Sequence, residues 1–183
     1  MPSDTTKALI VQSDRTLLLD VHCESAEEAR QAIIPFAELE KSPEHIHTYR
    51  VTPLSLWNAA SAGFTPKDVV KTLNKFSRYE IPAGITEGFS LLMSRFGKIK
   101  MTACDDSSRA LNSQTDRLLL RIDDEAIRLE IGGLKALKKY LTEEASGYSL
   151  SMLDRGTVKR ELIRAGWPAR DEAPLSKRGS TKR

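Results

Sequence analysis

The 183-residue sequence predicts an α+β fold built from two small mixed strand/helix subdomains: an N-terminal β-hairpin followed by helices, then a compact αβ unit. Three observations predict it. Short apolar runs such as "ALIVQSDRTLLLDVH" have the length and turn punctuation of strands. Stretches such as "TPKDVVKTLNKFS" place apolar residues at helical spacing behind a proline start signal. Between them, "DDSSRALNSQTD" follows neither period, which puts the expected division there: residues 1–104, 105–172 and a basic tail at 173–183.

The elements follow in order. Two strands flank Ser13-Asp14-Arg15 as a hairpin. "SAEEARQAIIPFAELEKSP" reads as a helix capped by Ser25, with Glu27 and Glu28 in its first turn and Pro35 kinking or splitting it. In "HIHTYRV", a strand would align His45, His47, Tyr49 and Val51 on one face. Thr52-Pro53 and Thr65-Pro66 each open a helix, with Asp68 placed for a capping box. A third helix spans about residues 83–96 and is closed by Gly97. "KIKMTAC" reads as a strand with Lys98 and Lys100 opposite Ile99, Met101 and Ala103. Beyond the polar stretch come the strand "RLLLRID", a helical stretch to Leu141 interrupted by Gly132-Gly133, and the strand "YSLSM". Asp154 then caps a helix from Arg155 to Ala165, stopped by Gly166.

The net charge of +3 is unevenly laid out: −5 over residues 1–49, +5 over 50–100, −3 over 101–154 and +6 over 155–183. Alternating blocks point to a surface that faces a polyanion. The sharpest feature is Lys67, Lys71, Lys75 and Arg78, spaced to form one row opposite the apolar stripe Val69, Val70, Leu73 and Phe76. The same spacing fits an ordinary solvated helix face. Lys98 and Lys100, and the pair Arg155 and Lys159 four apart, are further expected contacts to a polyanion. Lys177, Arg178, Lys182 and Arg183 make a basic tail that would mimic their salt dependence.

Other chemistry is not encoded. There is no G-x-x-x-x-G-K-[ST], no G-x-S-x-G, no H-E-x-x-H and no paired C-x-x-C. "DEAI" (Asp124 to Ile127) and "DEAP" (Asp171 to Pro174) read as a helix start and a linker. His45 and His47 supply two ligands where a metal needs three or four, so no metal and no cofactor are expected. Two unclustered cysteines, no signal peptide and no membrane-length apolar run lead to the expectation of a cytoplasmic protein, nucleoid-associated if bacterial.

From residue 8 the chain resembles the N-terminal, non-motor region of the XPB family of DNA repair helicases, particularly its bacterial members. The residues that carry the likeness are "LIVQSDRTLLLDV", "FAELEKSPEHIHTYRVTPLSLWNAASAG", "DVVKTLNKFSRYEIP", "GKIKM" and "DRGTVKRELIRAGWPARDEAP". Together they cover about residues 8–173. The resemblance implies a DNA-contacting, damage-recognition-like module of an ATP-dependent helicase or translocase acting in nucleotide excision repair. It also implies a docking surface for a motor, nuclease or other repair partner. The family's motor lobes and nucleotide motifs have no counterpart here. The expectation is therefore an accessory domain that is not itself an enzyme, with a docking module lacking DNA affinity as the alternative.

Overall fold

The first hairpin turns at Arg15, the one non-glycine among the described residues with left-handed backbone (φ 71°). Asp14 steadies that turn by accepting a hydrogen bond from the Thr16 backbone N–H at 3.0 Å. The computed structural model describes residues 6–104 and 117–174, and it is α+β as expected. It divides into two units, Met1–Phe96 and Gly97–Arg183.

In the first unit, strands β1 (Leu9–Val11), β2 (Thr16–Asp20), β3 (Glu38–Lys41) and β4 (Ile46–Arg50) form an antiparallel sheet in the order β1-β2-β4-β3. Leu9 pairs with Leu19, Val11 with Leu17, and Leu17 with Tyr49, which places all five side chains on one face. All five are buried, together with residues from helices α1 (Ala26–Ile33), α2 (Pro53–Ser61), α3 (Pro66–Phe76) and α4 (Ala83–Ser94). Both Thr-Pro starts form complete capping boxes, Thr52 with Ser55 and Thr65 with Asp68.

The second unit is a five-stranded sheet in the order β7-β8-β6-β5-β9, from β5 (Ile99–Ala103), β6 (Arg117–Ile122), β7 (Thr142–Glu144), β8 (Gly147–Ser151) and β9 (Ala169–Asp171). All its pairings are antiparallel except β5 with β9. Ile99, Met101, Leu118, Leu120, Ile122 and Leu150 point to one face and share a single core with α5 (Glu125–Gly133), α6 (Lys135–Lys138) and α7 (Arg155–Arg164). Gly147 (φ 145°) opens β8 where a Cβ would collide with the Leu120 carbonyl oxygen, so no side chain fits there.

Five expectations change. The division falls before β5 and not at 104/105, because β5 pairs along its whole length with β6. The polar stretch at 105–116 lies outside the described residues, as does the tail from residue 175. The helix expected through Lys41 ends at Ile33, ahead of Pro35, and Glu38–Lys41 is instead an edge strand on β4. Neither Ser25 nor Asp154 caps with its side chain. Ser25 donates instead to the Thr6 carbonyl at 3.0 Å. The expected linker at Asp171–Pro174 begins inside β9, whereas Asp124 does cap α5 as expected.

Candidate nucleic-acid interface

Helix α3 buries Val69, Leu73 and Phe76, which turns Lys67, Lys71 and Lys75 outward and exposed. Arg78 is not in that row. Ser77 leaves the helix in extended backbone (φ −75°, ψ 128°) and bridges Leu9, so the chain departs before Arg78 is reached. The Arg78 guanidinium, 18% exposed, donates to Asp20 Oδ2 at 3.0 Å and to the Lys7 carbonyl at 3.1 Å. Asp20 is held below the usual carboxylate range, chiefly by that hydrogen bond and also by the His22 N–H. Lys75 contacts Glu28 at 2.5 Å, but both side chains are more than half exposed, where an ion pair contributes little. Neither Lys67 nor Lys71 is in an ion pair among the described residues.

Arg155 and Lys159 do share one face of α7, and that face meets Asp171 on β9. Arg155 donates to both Asp171 oxygens, at 2.7 and 3.0 Å, and to the carbonyls of Ala173 and Pro174. Lys159 adds a contact at 2.8 Å. Burial works to raise the Asp171 carboxyl, and the bonds from Arg155 and Lys159 outweigh it, leaving the pKa lowered. This cluster straps β9 and the segment after it to α7. It is a packed ion-pair centre and not an open cationic row.

The second sheet supplies a grouping the sequence reading missed. Lys100 pairs with Arg121 across β5–β6 and with Arg170 across β5–β9, so three cations stand on one rung of three adjacent strands. Neighbouring strands lie about 4.8 Å apart, so the three backbone positions fall within about 10 Å of one another. Arg117 lies on the same face, four residues along β6 from Arg121. The buried residues of α5, α6 and α7 all join the core on the other face, so none of the second unit's described helices covers this one. Arg121 and Arg170 each touch a carboxylate, Asp123 at 3.2 Å and Glu172 at 3.0 Å, but stay more than half exposed. Lys98, exposed, enters the strand on the same side as Lys100. The alternation in "RLLLRI" carries a signal for Arg121. Arg170 carries none, because its strand exists only through pairing with β5.

The histidines are structural neighbours. His22 Nε2 and His45 Nδ1 lie 2.8 Å apart, and His47 is half-buried on the face shared with Tyr49. Among the described residues, no group of three metal-ligating side chains comes together.

Residues 9–146 match the family described as helicase conserved C-terminal domain. The chain is 38% identical over 92% of its length to a DNA 3'-5' helicase XPB of Kineococcus radiotolerans and 39% identical to one of Mycobacterium tuberculosis. It is 26% identical over 90% of its length to an XPB helicase/translocase subunit of general transcription and DNA repair factor IIH from Enterocytozoon bieneusi. The chain spans 29%, 30% and 26% of the length of these relatives. The expectation that the chain is not an enzyme is thereby corrected: a helicase family match and XPB likeness over 92% of the chain make this a helicase-type region.

Proposed function

The chain belongs to the family of the helicase conserved C-terminal domain, and from that membership we propose that it is the region of an XPB-like repair helicase that holds the DNA backbone. In this reading the second unit is the damage-recognition-like part, and the chain positions DNA for a helicase motor and its repair partners. The observation that carries it is the rung Lys100–Arg121–Arg170 on the sheet face opposite the second unit's own helices. Lys67 and Lys71 on α3 are a second, separate contact.

These groups do particular chemistry. Each exposed cation that meets a phosphate displaces condensed counterions, so affinity comes mainly from charge and falls with salt. Asn and Gln, which read adenine, are absent from the rung, and in this reading its two arginines meet phosphate and not guanine edges, so the contact is with backbone and is indifferent to sequence. The names of the relatives support DNA as the substrate and a repair assembly as the setting.

Fluorescence anisotropy of a labelled duplex, titrated between about 50 and 200 mM salt, tests the reading. Five neutralised phosphates, three at the rung and two at α3, give a slope of log affinity against log salt of about −4.5. The chain cut after Pro174 is the parallel control for the basic tail. Absence of binding at about 50 mM salt contradicts the reading and favours the docking module.

A further inference from the structure

Leu153 is 91% exposed, the most exposed large hydrophobic among the described residues. It sits at the centre of a 3-10 turn, Met152–Asp154, between β8 and α7. The turn is braced. Ser151 Oγ accepts from the Leu153 N–H at 3.2 Å, and the Arg155 guanidinium reaches Met152 Sδ at 3.8 Å. An isobutyl group is thus held in water by ordered backbone with almost no cover from its own fold, which costs the hydration of its apolar surface.

The residues on either side of it, Ser151 and Asp154, line a cavity of about 300 Å³ together with Arg117, Lys139, Tyr140 and Thr142. Lys139 lies 4.7 Å from the centre of the Tyr140 ring. Lys135 and Lys138, both exposed, are on α6 immediately before it. Arg117, which donates to Ser149 Oγ at 2.5 Å, stands on the same sheet face as Arg121 but four residues along β6, so the cavity opens at the far end of that face from the rung. Asp154 is the one carboxylate in the lining and leaves the cavity with a single net positive charge.

We propose that Leu153 is an apolar wedge that enters a locally unstacked base step, while Arg117 and Lys139 hold the neighbouring phosphates. The proposal rests on the DNA-backbone reading above and adds selectivity to it. Inserting a leucine into intact duplex requires unstacking a step at a cost of a few kcal/mol, whereas at a bulge that cost is already met. With a net charge of one, the cavity adds little affinity, and the wedge supplies preference for distorted DNA.

The test uses the full chain and two labelled duplexes, one fully paired and one identical except for a single unpaired nucleotide beside a 2-aminopurine. The wild-type chain binds the bulged duplex about tenfold more tightly and raises the 2-aminopurine fluorescence. Leu153→Ala loses the preference while its affinity for paired DNA changes less than about twofold, and Leu153→Met keeps most of it. Because Leu153 is almost wholly exposed, the variants keep the wild-type thermal midpoint. A preference that survives Leu153→Ala, or equal wild-type binding to both duplexes, overturns the wedge alone. No binding to either duplex overturns the wedge together with the DNA reading.

Discussion

Helices α3 and α7 each carry cations four residues apart, and the structure uses them in opposite ways. On α3, Lys67 and Lys71 face away from the core and lack an ion-pair partner among the described residues. On α7, the same spacing brings Arg155 and Lys159 onto the single carboxylate of Asp171, which is 15% exposed. Helical spacing decides which side chains share a face. What stands opposite that face is decided by tertiary pairing, here a three-residue strand joined to β5 about 70 residues earlier. The difference separates cations available to a polyanion from cations spent on holding the fold.

The largest effect that would sharpen this contrast is on α7. Replacing Asp171 by Ala leaves Arg155 and Lys159 facing each other without a counter-charge, and should destabilise the second unit by about 3 kcal/mol. Urea unfolding measures it, and a loss below about 0.5 kcal/mol would mean the cluster is not structural. The pH dependence has a definite sign. Asp171 is depressed in the folded state, so its contribution is complete above the unfolded value of about 3.9 and is lost as pH falls through the lower folded value. Asp171→Asn should remove that part of the acid sensitivity.

A middle-sized effect belongs to Arg78. Arg78→Ala should cost the first unit about 1–2 kcal/mol, because it removes the bonds to Asp20 and to the Lys7 carbonyl from a group only 18% exposed. An unchanged urea midpoint would return Arg78 to the surface row. The smallest stability effect is expected from Lys67→Ala with Lys71→Ala, within about 0.5 kcal/mol of wild type. That same double substitution should flatten the salt slope of DNA binding by about two units. Arg155→Ala should behave in reverse, losing stability and leaving the slope nearly unchanged.

Much of this was legible in the sequence, and the illegible parts share a cause. Thr52-Pro53 and Thr65-Pro66 announced α2 and α3 because a capping box is complete within four residues. The outward face of α3 was legible for the same local reason. Strands β3, β7 and β9 read E-L-E-K, T-E-E and A-R-D, with neither the length nor the alternation of a strand. Each is an edge defined by its partner, β4, β8 or β5. Arg78 falls outside the helical row because α3 stops where Ser77 bridges Leu9, a residue 68 positions earlier, which local spacing does not encode. The rung Lys100–Arg121–Arg170 joins three strands from distant parts of the second unit, so no sequence window contains it.

That rung is the centre of the account, and one measurement tests it most directly: the salt dependence of duplex binding by the triple variant Lys100→Ala, Arg121→Ala, Arg170→Ala, beside the wild-type chain. All three side chains stand on the face opposite the core, so the variant should keep the wild-type unfolding free energy in urea to within about 1 kcal/mol. Its salt slope should be shallower than wild type by nearly three units, with the greatest loss of affinity at low salt. A variant that folds as the wild type does and binds DNA with the same slope would contradict the account.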